Sequence, residues 1–322
     1  MSKHKTYDVL PINIEVNSEL KSINFYLLKT DNSLILVDAG LSRNNFYGAL
    51  LQTLQANGLS LQDITEIVLT HNHGDHVGLV NRITKKHQVP VYVHPDAFPR
   101  LKRNPEFFEM RVHFFAELYD KMGAGDAGRK QVAYLREAII KNQNQSIQAD
   151  LTPMRESFGD FSVIHTPGHA PDHIVLYHEG TEELFAGDLL IQHISSNALV
   201  EPDENGNQLK TLIQQKQSLE KINELTISTT YSGHGEIIQN TQQLIEHRLK
   251  GIDNKANKFK NILSESGRLT AAELAQNYYG NLYQKQFSLV MSEIIGHLDY
   301  LEEAKRVIKE KENGVYYYTA ID

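Results

Sequence analysis

Three histidines and an aspartate crowd into six residues of this chain, in the run Thr70-His71-Asn72-His73-Gly74-Asp75-His76. Neutral imidazole and carboxylate are the donors that zinc and other borderline divalent ions accept, at about 2.0 to 2.2 Å. The run follows Thr65-Glu66-Ile67-Val68-Leu69, which reads as a buried strand, and precedes Val77 to Lys86, which reads as a helix. A loop at such a junction can turn all four side chains to one side. A chance surface cluster is the competing account, and it leaves the tight spacing and Gly74 without a purpose.

Three further segments place a candidate ligand directly after a predicted strand: Thr166-Pro167-Gly168-His169, Ala186-Gly187-Asp188 and Ser232-Gly233-His234-Gly235. Their glycines permit close backbone approach. Each segment alone is a weak signal. Together with the first run they supply five histidines and two aspartates, enough donors for two metal ions. The chain has no cysteine, so it forms no disulfide, and a metal must be held by histidine and carboxylate.

The elements that must position these residues alternate. Tyr7 to Val16, Ser22 to Lys29 and Ser33 to Val37 read as strands, and Asn45 to Asn57 as a helix. Val89 to Val93 is another strand. From Asp96 to about Ser157 the spacing turns helical, with Phe107, Phe108, Met110, Phe114, Phe115 and Leu118 followed by Val132, Leu135, Ile139 and Ile140, and the segment reads as a helical insertion. Strands resume at Phe161 to His165, Ile174 to Tyr177 and Leu184 to Ala186. A helix near Leu209 to Ile222 and a strand at Thr226 to Thr230 complete a layered α/β pattern. After about Asn240 helices are expected at Thr241 to Leu263, Thr270 to Tyr278 and Gln286 to Glu310, closed by a short strand at Gly314 to Tyr318.

Composition narrows the class. At 322 residues the chain can bury a sizeable core, and its length sets an expectation of about two domains. A hydrophobic fraction of 40% with 22% charged residues excludes a disordered chain. The net charge of −8 weighs against a phosphate-rich partner such as nucleic acid. Met1-Ser2-Lys3-His4-Lys5 leads into no apolar leader core, and no run is long enough to span a membrane, so a cytoplasmic location is the default expectation.

As a set, Val37-Asp38-Ala39-Gly40, the His71 to His76 run, Thr166 to His169, Gly187-Asp188 and Ser232 to Gly235 resemble the metallo-β-lactamase superfamily in order and spacing, over about residues 7 to 240. The resemblance implies an αββα sandwich with a metal site at one edge of its two sheets. It also implies that His71, His73 and His169 hold one divalent ion, that Asp75, His76 and His234 hold a second, and that Asp188 bridges them. Zinc is the default metal, with iron or manganese as alternatives. Iron-dependent flavodiiron relatives typically carry an acid in place of the second histidine, and this chain keeps His73, which favours hydrolysis. A hydroxide shared by two cations would be the nucleophile. Asp75 would orient it and pass a proton to the leaving group.

The remaining candidates divide between support and contact. Asp38 would orient a ligand or a loop, or only stabilise a turn. His173 reads as pinning its loop, with metal contact as the alternative. His193 reads as structural, with substrate contact as the alternative. His94, His113, His165, His178, His247 and His297 have no motif around them. By the same resemblance the insertion would roof the metal edge, and Phe114, Phe115 and Tyr119 become candidates to line a substrate pocket.

The tail from residue 241 resembles a small winged-helix-like α domain, a second module after a catalytic domain over residues 1–240. With eleven Lys or Arg against eleven Asp or Glu it has no basic stripe for phosphates, so packing on the catalytic domain or dimerisation is expected instead. The expected function is a dinuclear metal-dependent hydrolase of a small carbonyl substrate (ester, thioester, lactone or amide). The tail does not resemble the glutathione-binding helices of glyoxalase-II-like enzymes. A metal-dependent phosphodiesterase or ribonuclease is the alternative, and a DNA-binding regulator with a vestigial catalytic domain a third reading.

Overall fold

The computed structural model describes residues 7–321; the Met1–Lys5 segment considered above lies outside them. Strands β1 (Tyr7–Glu15), β2 (Ser22–Thr30), β3 (Leu34–Val37), β4 (Glu66–Val68), β5 (Val91–Val93) and β6 (Leu151–Pro153) form one mixed sheet in sequential order. Strands β7 (Ser157–Phe158), β8 (Phe161–His165), β9 (Ile174–His178), β10 (Glu183–Gly187) and β11 (Thr229–Ser232) form the second.

Side chains alternate across each strand, so a strand buried on both faces reads as an unbroken apolar run. Tyr26, Leu28, Ile35, Val37 and Val68 meet Phe161, Ile174, Leu176 and Phe185 between the sheets. On the outer face of the first sheet, Leu27, Leu36 and Ile67 pack under α1 (Asn44–Ala56) through Phe46, Leu50 and Leu54. On the outer face of the second, Val175, Leu184 and Ala186 pack under α7 (Thr211–Asn223) and α8 (Thr241–Ser266). The result is the expected αββα sandwich.

Several expectations need correction. The helix expected over Val77 to Lys86 is broken into α2 (Gly74–Val77) and α3 (Val80–Thr84). There the Gly78 and Leu79 N–H groups donate to the carbonyls of Gly40 and Ala39, and a Cβ at Gly78 would lie 2.2 Å from the Ser42 nitrogen. The chain approaches too closely at that point for a regular helix to pass. The insertion holds α4 (Phe98–Leu101), α5 (Pro105–Lys121) and α6 (Gly125–Lys141), but before residue 157 the chain has returned to the first sheet as β6. The strand expected at Thr226 to Thr230 is β11, displaced toward His234.

In the tail, α9 (Ala271–Tyr279) and α10 (Leu282–Lys285) precede α11 (Phe287–Glu303), which stops short of the expected Glu310. Lys305 adopts a left-handed φ of 55° and ends the helical run. The chain then forms a hairpin of β12 (Val307–Glu312) and β13 (Val315–Ala320), whose turn residues Asn313 and Gly314 both have positive φ, as a tight two-residue hairpin turn requires.

Phe115 and Tyr119 do not face a substrate pocket. They pack with Phe287, Met291 and Phe259 in a core shared by α5 and the C-terminal helices, and Phe114 lies half-buried against the same cluster. No helix among the described residues is long and apolar enough to cross a membrane.

Candidate metal centre

The ends of β3, β4, β8, β10 and β11 all reach one rim of the sandwich, and the loops leaving them bring seven side chains together. His71 Nε2 and His169 Nε2 each lie 3.0 Å from His73 Nδ1. His76 Nε2 lies 3.3 Å from Asp188 Oδ1, and His234 Nε2 lies 3.5 Å from Asp75 Oδ2. Asp188 Oδ2 stands between the groups, 3.4 Å from His169 Nε2 and 3.2 Å from His234 Nε2. Bonds of about 2.0 to 2.2 Å to one tetrahedral ion put its donors about 3.3 to 3.6 Å apart, close to these separations.

The outer hydrogen bonds decide which ring nitrogen faces the centre. Asp38 is buried at a φ of +61°, and its carboxylate accepts from the Thr70 N–H at 2.8 Å, the Thr70 hydroxyl at 2.9 Å and His76 Nδ1 at 2.8 Å. Because the Thr70 hydroxyl donates to Asp38, it accepts from His71 Nδ1 at 3.0 Å. His169 Nδ1 donates to the Asn197 carbonyl at 2.9 Å, with the Ser196 hydroxyl 2.8 Å away, and His234 Nδ1 donates to the Ser22 carbonyl at 2.8 Å. Each of these four rings therefore carries its proton on Nδ1 and turns a bare Nε2 inward.

Three of the inward atoms, His76 Nε2, His234 Nε2 and Asp188 Oδ1, are buried without a hydrogen-bond partner among the described residues. Imidazole nitrogens and carboxylate oxygens that converge on one largely buried spot are a good fit for a cation, which takes the place of the proton that Asp188 otherwise draws onto His76 and His234. Burial pushes the His71, His73 and His169 rings toward the neutral form, His73 to about 3, and neighbouring rings add to this at His71 and His73. Burial acts the same way on His76 and His234, but Asp188 outweighs it and both stand above their usual value, with Asp38 helping at His76. Burial alone would raise the Asp188 carboxyl; His76 and His234 reverse this and hold it well below the usual carboxylate range.

Close packing leaves no room for a side chain at Gly233, where a Cβ would stand 2.6 Å from Asp188 Oδ1 and 2.8 Å from His76 Cε1. His173 does not face the centre: its Nε2 accepts from the Asp188 N–H at 3.1 Å and its Nδ1 meets the Thr166 hydroxyl at 2.9 Å, so it fixes the loop that presents Asp188. His193 Nε2 donates to the Glu19 carbonyl at 2.8 Å, tying its own segment to the β1–β2 turn.

Sequence reasoning missed Thr70, Ser196 and Asn197, which set ring orientation, and the Asn72–Asp172 hydrogen bond of 2.5 Å that joins two of the loops. Asn72 lies inside the histidine run and Asp172 three residues after His169, which is the one local signal that pointed to them. Burial raises the Asp172 carboxyl to about 6. A separate group, His94, Asp96 and His165, also lies close together, but the two rings stack at 4.1 Å and 13°. Parallel rings direct their in-plane lone pairs side by side and not at one ion.

The family model of the Metallo-beta-lactamase superfamily matches residues 19–234, a span that contains all seven converging residues. The chain belongs to the metallo-β-lactamase superfamily. Within that superfamily it is 32% identical to the probable metallo-hydrolase YqjP of Bacillus subtilis (strain 168), over 97% of this chain and 98% of that protein. The crystal structure of a metallo-beta-lactamase family protein from Thermus thermophilus superposes with a TM-score of 0.76 at 25% identity, covering 97% of this chain and 98% of that one. An atrochrysone carboxyl ACP thioesterase of Aspergillus fumigatus is 24% identical, over 82% of this chain and 70% of that protein. The chain is thus a metallo-hydrolase of this superfamily, whose members generally bind divalent metals, and its histidine–aspartate groups are candidate sites for them.

Proposed function

We propose that the protein is a dinuclear hydrolase, with zinc as the preferred metal, that cleaves a small carbonyl substrate: an ester, thioester, lactone or amide. The observation that carries this reading is the position of Asp188 Oδ2 between two sets of donors, 3.4 Å from His169 Nε2 and 3.2 Å from His234 Nε2. His71, His73 and His169 would hold one ion, Asp75, His76 and His234 the other, and Asp188 would be shared. Iron and manganese satisfy the same donors. Two such ions, when bound, supply Lewis acidity and lower the pKa of a water.

The chain's own groups do the rest. Asp75 is the most exposed of the site's carboxylates, with its side chain 23% accessible, so it can accept a hydrogen bond from an attacking water, take its proton and deliver it to the leaving group. Asp38, Thr70, Ser22 and Asn197 keep four rings in one tautomer through the cycle. Burial of His71, His76, His234 and Asp188 excludes bulk water from the inner side.

A thioester is the best-supported member of the substrate class, because a relative covering most of this chain is named a thioesterase. The acidic net charge and the evenly charged tail favour a small substrate over a polynucleotide. The test pairs elemental analysis of zinc-replete protein with a panel of thioester, ester, lactone, amide and single-stranded RNA. Close to two metals per chain and turnover of a carbonyl substrate are expected, with His73→Ala falling below about 1% of that rate. Much less than two metals would overturn the dinuclear assignment. Cleavage of RNA with none of the carbonyl substrates would overturn the substrate class.

A further inference from the structure

Where α7, α8 and α11 meet the segment that follows Asp188, the fold leaves a cavity of about 160 Å³. None of the seven converging residues borders it, but Ser196 and Asn197, the partners of His169 Nδ1, form part of its wall. The cavity has room for several waters or a compact organic molecule. Leu189, Leu212, Leu219 and Ile252 give it an apolar side.

Its polar side is out of balance. The Arg248 guanidinium donates through Nη2 to the carbonyls of Ile191, Gln192 and Ile194, and no carboxylate among the described residues is paired with it. Lys255, the other cation there, is already paired with Glu293, which also accepts from the Tyr279 hydroxyl. Gln215 is 5% exposed; its Nε2 donates to the Ser196 carbonyl, and its Oε1 has no partner. His297 is 3% exposed; its Nδ1 donates to the Glu293 carbonyl at 2.7 Å, so its bare Nε2 is an acceptor, also without a partner. A cation without an anion borders this space, and so do Gln215 and His297, each with a buried acceptor that has no donor among the described residues.

We propose that this cavity binds a small organic carboxylate with an apolar body and a hydroxyl or amide N–H, its carboxylate on Arg248 and its donor on Gln215 or His297. The apolar body lies against the leucines, and one molecule brings both an anion to the Arg248 charge and a donor to the polar side. The site is separate from the metal centre, and the assignment does not depend on which bond that centre cuts.

Gly251 is exposed where it borders the cavity, so a side chain there narrows its open side. It lies on α8 at the cavity wall, a Cβ there would meet no atom within 4 Å, and leucine is a better helix former than glycine. The experiment is calorimetric titration of the metal-loaded, full-length protein with 3-hydroxyhexanoate, hexanoate and 1-hexanol. 3-Hydroxyhexanoate should bind with a Kd of about 1 mM or tighter, hexanoate about tenfold more weakly, and hexanol not measurably. Arg248→Met and Gly251→Leu should each weaken 3-hydroxyhexanoate by about tenfold or more, and binding should persist after metal removal with EDTA. If Arg248→Met misfolds because its three carbonyl contacts are lost, Gly251→Leu alone decides. No binding by the wild type, equal binding by Gly251→Leu, or loss of binding with the metal would each overturn the proposal.

Discussion

The rim of the sandwich and the helical half of the molecule are held together by different means. At the rim, the outer side of the site is held by hydrogen bonds: Asp38 accepts three, and the outer nitrogens of His71, His76, His169 and His234 are all fixed. In the shared core of α5, α8, α9 and α11 the contacts are rings and aliphatic chains, with Phe259 fully buried and meeting Tyr278 and His297 edge-on. The contrast teaches that the rim is sensitive to polarity at constant volume, whereas the helical half is sensitive to volume.

Phe259→Ala probes the second half of that statement and should have the largest effect. Removing a fully buried ring leaves a cavity and costs about 3 to 5 kcal/mol, read as a lower denaturant midpoint. The metal content of the protein that remains folded should be unchanged; a parallel loss of metal would erase the distinction between the regions. Asp38→Asn probes the first half. Asparagine has the same size and tolerates the left-handed φ, but its amide cannot accept from both Thr70 and His76 Nδ1, so the His76 tautomer is no longer fixed. Metal affinity should fall about 10- to 100-fold in a competition titration with little change in fold. An unchanged affinity would show that Asp38 only stabilises its turn.

Asp299→Asn sharpens the comparison most gently, because it places a polarity test inside the helical half. Burial raises the Asp299 carboxyl to about 7, and its Oδ2 accepts from Gln208 Nε2 at 2.7 Å, a bond that an asparagine oxygen can also accept. A raised folded-state pKa means the native protein holds this proton more tightly than the unfolded chain does. The contribution is therefore present at low pH and is lost as pH rises from about 4 through 7. The variant should gain on the order of 1 kcal/mol over the wild type at pH 8 and nothing at pH 4. A gain that did not depend on pH would mean the aspartate's charge is not its cost.

The seven converging residues were legible because each sits in a short loop after a strand or, for Asp75 and His76, in the first turn of α2 that follows one, where side-chain type, spacing and neighbouring glycines are local facts. The two sheets were legible for the same reason, from apolar runs bounded by turns. What escaped depends on contacts between distant segments. Nothing near Val77 announces that Gly40 and Ala39 will take the backbone donors of Gly78 and Leu79 and break the helix. Phe115 and Tyr119 have the spacing of a helix face, but which body that face meets is decided by Phe287, far along the chain. The hairpin at β12–β13 carried a local signal, Asn313-Gly314, that was outweighed by the helical reading of the residues before it.

The core shared by α5 and the C-terminal helices has a consequence for how the chain is made. Phe115, Leu118 and Tyr119 emerge from the ribosome well before their partners on α9 and α11. Until then an apolar helix face has nothing to cover it, and contacts that must close over so long a loop form slowly. The nascent protein must therefore wait, with part of its interior uncovered, until α9 and α11 have been made.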